Sequence, residues 1–275
     1  MLRRMLSETD VMTTFSTWES YFYPPPDDQT LRNIQDIRDP RALRVFEYGA
    51  TALRSKQMDL DSSIVGRTYD ADHVRAIHGY LFQDVYEWAG QFRTVNMCKN
   101  LSSFADVRNG EVDRYLADVH RLVTSADWLD MDRLGFARAS AEVFAYLNQA
   151  HPFREGNGRT SKVFMEHVAE QSRFTFEFDR VSPGVWNQAS MLSGPDLGRY
   201  EPVPDSLVPV FQTIAQPRTS VALTREQPSV ERRGSTQERR SETRRCVGGE
   251  IERRLGLRSS RPEGGGAPHR GRGPR

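Results

Sequence analysis

No aromatic residue follows Phe211 in this chain of 275 residues. A segment that lacks aromatic side chains and is built largely of Arg, Glu, Gly, Ser and Pro cannot bury enough apolar surface to offset the entropy of ordering its backbone. The folding part is therefore expected to end near residue 216. Charge divides at the same place. From Pro217 onward there are 15 Arg and 7 Glu, a net of +8, which leaves 23 basic and 30 acidic groups in residues 1–216, a net of −7. The overall charge of +1 conceals this asymmetry. We read residues 217–275 as an Arg/Gly/Pro-rich tail with no core of its own, and residues 1–216 as a folded domain with an N-terminal extension.

Composition excludes some classes. With 27% charged residues and a mean hydropathy of −0.65, no window approaches the roughly 20 apolar residues that a membrane-spanning helix needs. The start, MLRRMLSETD, is basic but carries no apolar stretch, so a secretory signal is not expected. Cys98 and Cys246 lie far apart in unlike contexts, which is neither metal-ligand spacing nor a disulfide framework, and a reducing cytoplasm is the expected compartment. Arginine pairs in the tail could meet the phosphates of a nucleic acid. Its glutamates dilute that field, however, and no aromatic side chain is interleaved for base stacking, so a solvated extension is the simpler reading.

Apolar periodicity in residues 1–216 is helical. Asp39-Pro40 opens a first helix, with Leu43, Phe46, Ala50 and Leu53 on one face. A second starts near Asp70 and carries Val74, Ile77, Leu81 and Val85. A third spans about 110–124 through Val112, Leu116, Val119 and Val123, and a fourth spans 130–150 through Leu134, Ala137, Ala141, Phe144 and Leu147. Between the second and third, Gln91 to Met97 alternates as a strand would, and the polar turn 99–103 before Phe104 predicts a small β-hairpin. The fold class predicted is all-α, a helical bundle with one small hairpin.

The most informative segment is His151-Pro152-Phe153-Arg154-Glu155-Gly156-Asn157-Gly158-Arg159-Thr160. Pro152 pushes His151 out of helical dihedrals, so the fourth helix should end there. Gly156 and Gly158 free the backbone at the start of the next helix, where unpaired N–H groups and the positive dipole end form an anion site. Asn157 adds an amide donor; Arg159 and Lys162 add cations about one turn apart. Glu155 is the one acid beside them, suited to a hydrated Mg²⁺ that bridges protein and phosphate oxygens. His151, with an ordinary pKa near 6.5, is a natural proton acceptor. Each part alone has a plain reading: a helix-capping histidine, a Gly-Asn-Gly turn, a surface ion pair worth about 0–1 kcal/mol. Their occurrence within twelve residues points instead to transfer of a phosphate-containing group onto a hydroxyl.

His151 to Lys162 also resembles the signature of Fic-domain proteins, His-x-Phe-x-(Asp/Glu)-Gly-Asn-Gly-Arg-x-x-Arg, and agrees at every specified position except the last. Thr17 to Pro24 and Trp88 to Asn96 extend the resemblance over roughly residues 15–215. It implies a Fic-type helical bundle that transfers AMP from ATP to a hydroxyl side chain of a target protein, releasing pyrophosphate. On that basis His151 is the base, Phe153 the aromatic that fixes the loop and Glu155 the Mg²⁺ ligand. Gly156, Asn157 and Gly158 are the anion hole, Arg159 is a phosphate-binding arginine, and Lys162 stands where the family has a second, γ-phosphate-holding arginine. The hairpin would be the flap that registers the target by strand addition, through Asn96, Lys99, Asn100, Leu101, Ser102 and Phe104. Gln188 is assigned to the nucleotide from its place after the motif helix.

Lysine at 162 keeps charge but loses the bidentate fork, which leaves open transfer of another phosphate-containing group. A further alternative is a vestigial nucleotide-binding scaffold with a nucleic-acid-binding tail. Family members are commonly restrained by a helix with (Ser/Thr)-x-x-x-Glu-(Gly/Asn). Residues 1–216 contain no such sequence, and Ser259 to Gly264 in the tail fits it only with Pro262 in the way. The expectation is a toxin held by a separate antitoxin, its target, as in similar toxins, a bacterial type II topoisomerase.

Overall fold

The structure is a computed structural model, and it describes residues 15–99 and 102–218. Among these, seven α-helices carry the fold: α1 (Pro40–Leu60), α2 (Ala71–Phe82), α3 (Glu111–Ser125), α4 (Arg133–Ala150), α5 (Asn157–Ala169), α6 (Pro183–Leu192) and α7 (Val208–Ile214). Several starts are fixed by short polar side chains. Asp39, Asp70, Asp132 and Ser182 each accept a hydrogen bond from the backbone N–H three residues on, and Pro40 and Pro183 follow two of these caps. Each such cap is worth about 0.5–2 kcal/mol.

Helix α4 is the axis of the bundle. Eleven of its residues are buried, among them the small Ala137, Ser140, Ala141 and Ala145, which let neighbouring helices approach closely around Phe136, Phe144 and Leu147. Helices α3, α5 and α7 pack against it. One aromatic cluster joins Phe136, Phe174, Phe176, Phe144, Phe211 and Trp186. A second, Tyr21, Trp88, Tyr86, Phe82, His78 and Phe153, lies beneath the His151–Gly156 loop.

Several local expectations need correction. The buried face of α1 is Leu43, Glu47, Thr51 and Met58; Leu53 is 61% exposed, and Phe46 and Ala50 are only half-buried. Periodicity misplaced that face because two of its positions are polar. Helix α2 stops at Phe82, so Val85 is buried from the following turn, where its N–H reaches the Phe82 carbonyl. Helix α4 begins at Arg133, and Leu134 is 38% exposed.

Residues 91–97 are not a strand. The hairpin is shorter, β1 (Cys98–Lys99) against β2 (Ser102–Ser103), antiparallel with Cys98 opposite Ser103. Its turn residues Asn100 and Leu101 lie outside the described residues. A second antiparallel pair, β3 (Phe174–Phe176) and β4 (Ala215–Pro217), closes the C-terminal end and was not anticipated. The tail sequence Ser259 to Gly264 also lies outside the described residues. No helix among the described residues is long and apolar enough to cross a membrane.

Candidate active site

The junction of α4 and α5 lines a cleft of about 500 Å³ together with the hairpin and α6. His151, Glu155, Gly156, Asn157 and Gly158 line it from the loop, Met97, Cys98 and Phe104 from the hairpin side, and Trp186, Asn187 and Gln188 from α6. Gln188 thus reaches the same cleft as the loop although it is 30 residues away in sequence.

His151 ends α4 as its C-cap, its N–H bonded to the Leu147 carbonyl at 3.3 Å. Proline removes it from the helix, but into the left-handed region (φ 39°, ψ 57°) and not the extended one that the His-Pro step favours. Arg93 Nε holds its carbonyl at 2.8 Å, which explains how this backbone persists. The imidazole stacks on Phe104, centroids 3.7 Å apart and planes 12° apart, so its face is covered while it lines the cleft.

The loop is anchored from below. Phe153 is fully buried and stacks on His78 at 3.8 Å. The Gly90 N–H donates to His78 Nδ1, so the proton sits on Nε2, which donates to the Glu155 carbonyl at 3.1 Å. Burial pushes His78 down to about 3, keeping it neutral in this role. Asn157 is a second anchor: its Oδ1 accepts from Phe153 N–H at 2.9 Å and its Nδ2 donates to the Phe153 carbonyl at 2.7 Å. Its side chain thus braces the loop from within.

The two glycines differ in what they require. Gly156 has φ +85°, and a Cβ there would lie within 2.5 Å of Cε2 of the buried Phe82 ring. Backbone and packing both demand glycine. At Gly158 the backbone is not left-handed and a Cβ would meet no protein atom within 4 Å. Nothing in the protein forces that glycine, and the space it leaves belongs to the cleft. No side chain caps the start of α5. The Gly156 N–H is taken by Glu155 Oε1 at 3.0 Å, while the N–H groups of Asn157, Gly158 and Arg159 open the first turn, where a helix supplies no acceptor of its own. The cradle is open.

Neither expected cation lines it. Arg159 turns toward α1, where its guanidinium pairs with the buried Glu47 and donates to Thr51 Oγ1 at 3.3 Å, with Glu155 at 3.6 Å. Glu47 also accepts from the Tyr86 hydroxyl. Arg159 is therefore an anchor between α5 and α1. Lys162 packs against the Phe178 and Trp186 rings, 5.0 and 5.3 Å from their centroids. Arg154, given no role from sequence, lies over Trp18 at 3.6 Å and pins the loop to the N-terminal aromatic segment.

Glu155 is the one acid on the cleft wall, its side chain 45% exposed. Among the described residues no group of three or more His, Cys, Asp or Glu could hold a metal ion. One carboxylate beside an open phosphate cradle fits Mg²⁺, which is bound through one or two carboxylates plus phosphate oxygens and water. Of the hairpin residues, Asn96 Oδ1 accepts from the Val107 N–H at 2.9 Å and so secures the hairpin root. Lys99 and Ser102 pair as neighbours across the two strands.

Sequence reasoning missed Arg93, Glu47, His78, Asn148 and Gln149. Asn148 and Gln149 carried a signal in their place just before His151, and both line the cleft. Glu47 carried one too, four residues after Leu43 on the inward face. Arg93 and His78 showed none.

A helical bundle with a glycine-rich helix start facing a short hairpin defines a Fic-type fold. Residues 68–169 match the model of the Fic/DOC family. Protein adenylyltransferase VbhT of Bartonella schoenbuchensis is 31% identical over 172 residues, 62% of this chain and 35% of that protein. The probable protein adenylyltransferase y4lH of Sinorhizobium fredii is 32% identical over 162 residues, 58% of this chain and 80% of that one. The crystal structure of the N-terminal Fic domain of a VirB-translocated Bep effector protein from Bartonella quintana, with bound ADP, superposes with a TM-score of 0.62 at 27% identity, over 73% of this chain and 96% of that chain. This chain belongs to the Fic/DOC family. It spans about a third of the length of VbhT and about four fifths of that of y4lH.

Proposed function

We propose that this protein transfers AMP from ATP to a hydroxyl side chain of a target protein. The observation that carries the reading is the open helix start at Gly158, a cradle with room for phosphate oxygens beside His151 on one cleft wall. The ADP bound by the Bartonella quintana domain and the names of the adenylyltransferase relatives support it.

In this mechanism the target hydroxyl gives its proton to His151 as its oxygen bonds to the α-phosphorus. The bond from that phosphorus to the bridging oxygen breaks, and pyrophosphate leaves. A positioned base contributes about 10²–10⁴-fold. The N–H groups at the start of α5 face the charge that develops on phosphorus, where fixed donors act with little reorganisation. Glu155 would hold Mg²⁺, which when bound offsets phosphate charge. Phe104 covers one face of the imidazole and limits water there.

Regulation by a separate inhibitory polypeptide belongs to the same reading. The inhibitory glutamate sequence is absent from residues 1–216, and Glu47, the buried acid next to the motif, is committed to Arg159 and Tyr86.

The test is incubation of wild type and His151→Ala with α-labelled ATP in a bacterial lysate, followed by mass spectrometry of labelled bands. Label on a protein with the mass of AMP, lost by 10²-fold or more in the variant, is the expected result. Addition of phosphate alone would identify a different transferred group. Equal labelling by both proteins would remove His151 from the chemistry.

A further inference from the structure

The hairpin and the end of α4 meet on one buried side chain. Arg93 is 3% exposed, and its partners are backbone carbonyls. Besides Nε to His151, its Nη1 donates to Val95 at 2.7 Å, and its Nη2 to Ala105 at 2.6 Å and Ala150 at 3.4 Å. Its own N–H reaches the Pro152 carbonyl at 2.8 Å. Val95 and Ala105 flank the two strands of the hairpin, while Ala150, His151 and Pro152 carry the proposed base.

Two further bonds run between the same parts. Gln149 Nε2 donates to the Ser103 carbonyl, and the Ala105 N–H donates to the Gln149 carbonyl, each at 3.0 Å. Burying a guanidinium is costly unless its donors are satisfied, and an apolar side chain would fill the same space without that cost. What the guanidinium adds is geometry: one planar fork fixes four carbonyls from both sides of the junction. One of them belongs to His151, whose backbone lies in the left-handed region that disfavours non-glycine residues.

We propose that Arg93 is a positioning residue that couples the hairpin to His151, so that a target segment laid along the hairpin presents its hydroxyl to the imidazole in one fixed geometry. This rests on the transferase reading above. Misplacement of reacting groups by about 1 Å can cost roughly 10²-fold. A protein acceptor, registered by the hairpin, depends on the coupling, whereas water as acceptor does not.

The experiment compares wild type, Arg93→Gln and Arg93→Lys in two reactions, AMP transfer to protein and release of AMP from ATP by water, with ADP affinity and amide hydrogen exchange measured alongside. In Arg93→Gln the ratio of transfer to hydrolysis is expected to fall at least about tenfold, with ADP affinity within about threefold of wild type. The Phe104 and Ala105 amides should exchange faster while those of α5 do not. Parallel loss of both reactions with an unchanged ratio, or unchanged exchange at Phe104 and Ala105, would overturn the coupling. Should Arg93→Gln fail to fold, Arg93→Lys decides: it keeps the charge but has three donors on one centre, and an unchanged ratio in it also overturns the coupling. A wild type that transfers no AMP would sink the transferase reading and this inference with it. A wild type that transfers, beside variants of unchanged ratio, sinks only the inference.

Discussion

Substituting alanine at each motif glycine separates what the fold needs from what a ligand needs. At Gly156 the backbone is left-handed, which costs an alanine roughly 1–2 kcal/mol. Its methyl group would also press into the Phe82 ring, which is fully buried and stacked on His78. Overpacking of this kind costs about 1–3 kcal/mol. Gly156→Ala should therefore lose about 2–5 kcal/mol in urea unfolding. Part of that loss is specific to the ring, so the double variant with Phe82→Leu should show a coupling of about 1 kcal/mol or more.

Gly158→Ala should behave in the opposite way. It meets no neighbour and lies in the first turn of α5, so stability should range from unchanged to about 1 kcal/mol higher. Its methyl group would occupy the space left for phosphate oxygens, and ADP affinity by titration calorimetry should fall about tenfold, equivalent to roughly 1.4 kcal/mol. A Gly158→Ala protein that binds ADP like wild type would refute the cradle. A Gly156→Ala protein as stable as wild type would refute the packing on which the loop geometry depends.

Two other outcomes follow from the same contacts. Arg159→Ala leaves the buried Glu47 carboxylate without its partly exposed guanidinium partner and should cost about 2–4 kcal/mol in urea unfolding, with ADP affinity changed less than about threefold; a large loss of affinity at normal stability would return Arg159 to the phosphates. Burial first, and then the nearby Asp59, raise the Glu166 carboxyl to about 7. A carboxyl raised in the folded state is disfavoured as pH climbs from the ordinary glutamate range through 7, because the unfolded chain releases its proton first. Glu166→Gln should thus leave stability unchanged near pH 4 and raise it at pH 8 by roughly 1–3 kcal/mol, and equal gains at both pH values would show that the carboxyl titrates normally.

Much of the fold was legible because helical periodicity and capping residues act locally. Asp39, Asp70 and the Val112–Val123 stripe lie where pattern placed them. Misreadings fell where burial was polar or the backbone irregular. Alternation from Gln91 to Met97 resembles a strand, but that backbone is held by a guanidinium bonded to carbonyls more than 50 residues away. The α1 face differs from its apolar pattern because Glu47 and Thr51 are buried, with Arg159 reaching both and the Tyr86 hydroxyl reaching Glu47 from other elements.

The sequence by itself determined helices α1 to α5, the break at His151-Pro152, the glycine pattern that starts α5, and the charge asymmetry of the tail, because each depends on dihedral preference or composition within a few residues. Only tertiary structure decided which charges face the cleft. Arg159 and Lys162 are equally cationic in sequence, yet one is drawn to a buried carboxylate and the other to aromatic faces. Direction of a side chain depends on what packs against it, and those partners are supplied by distant parts of the chain.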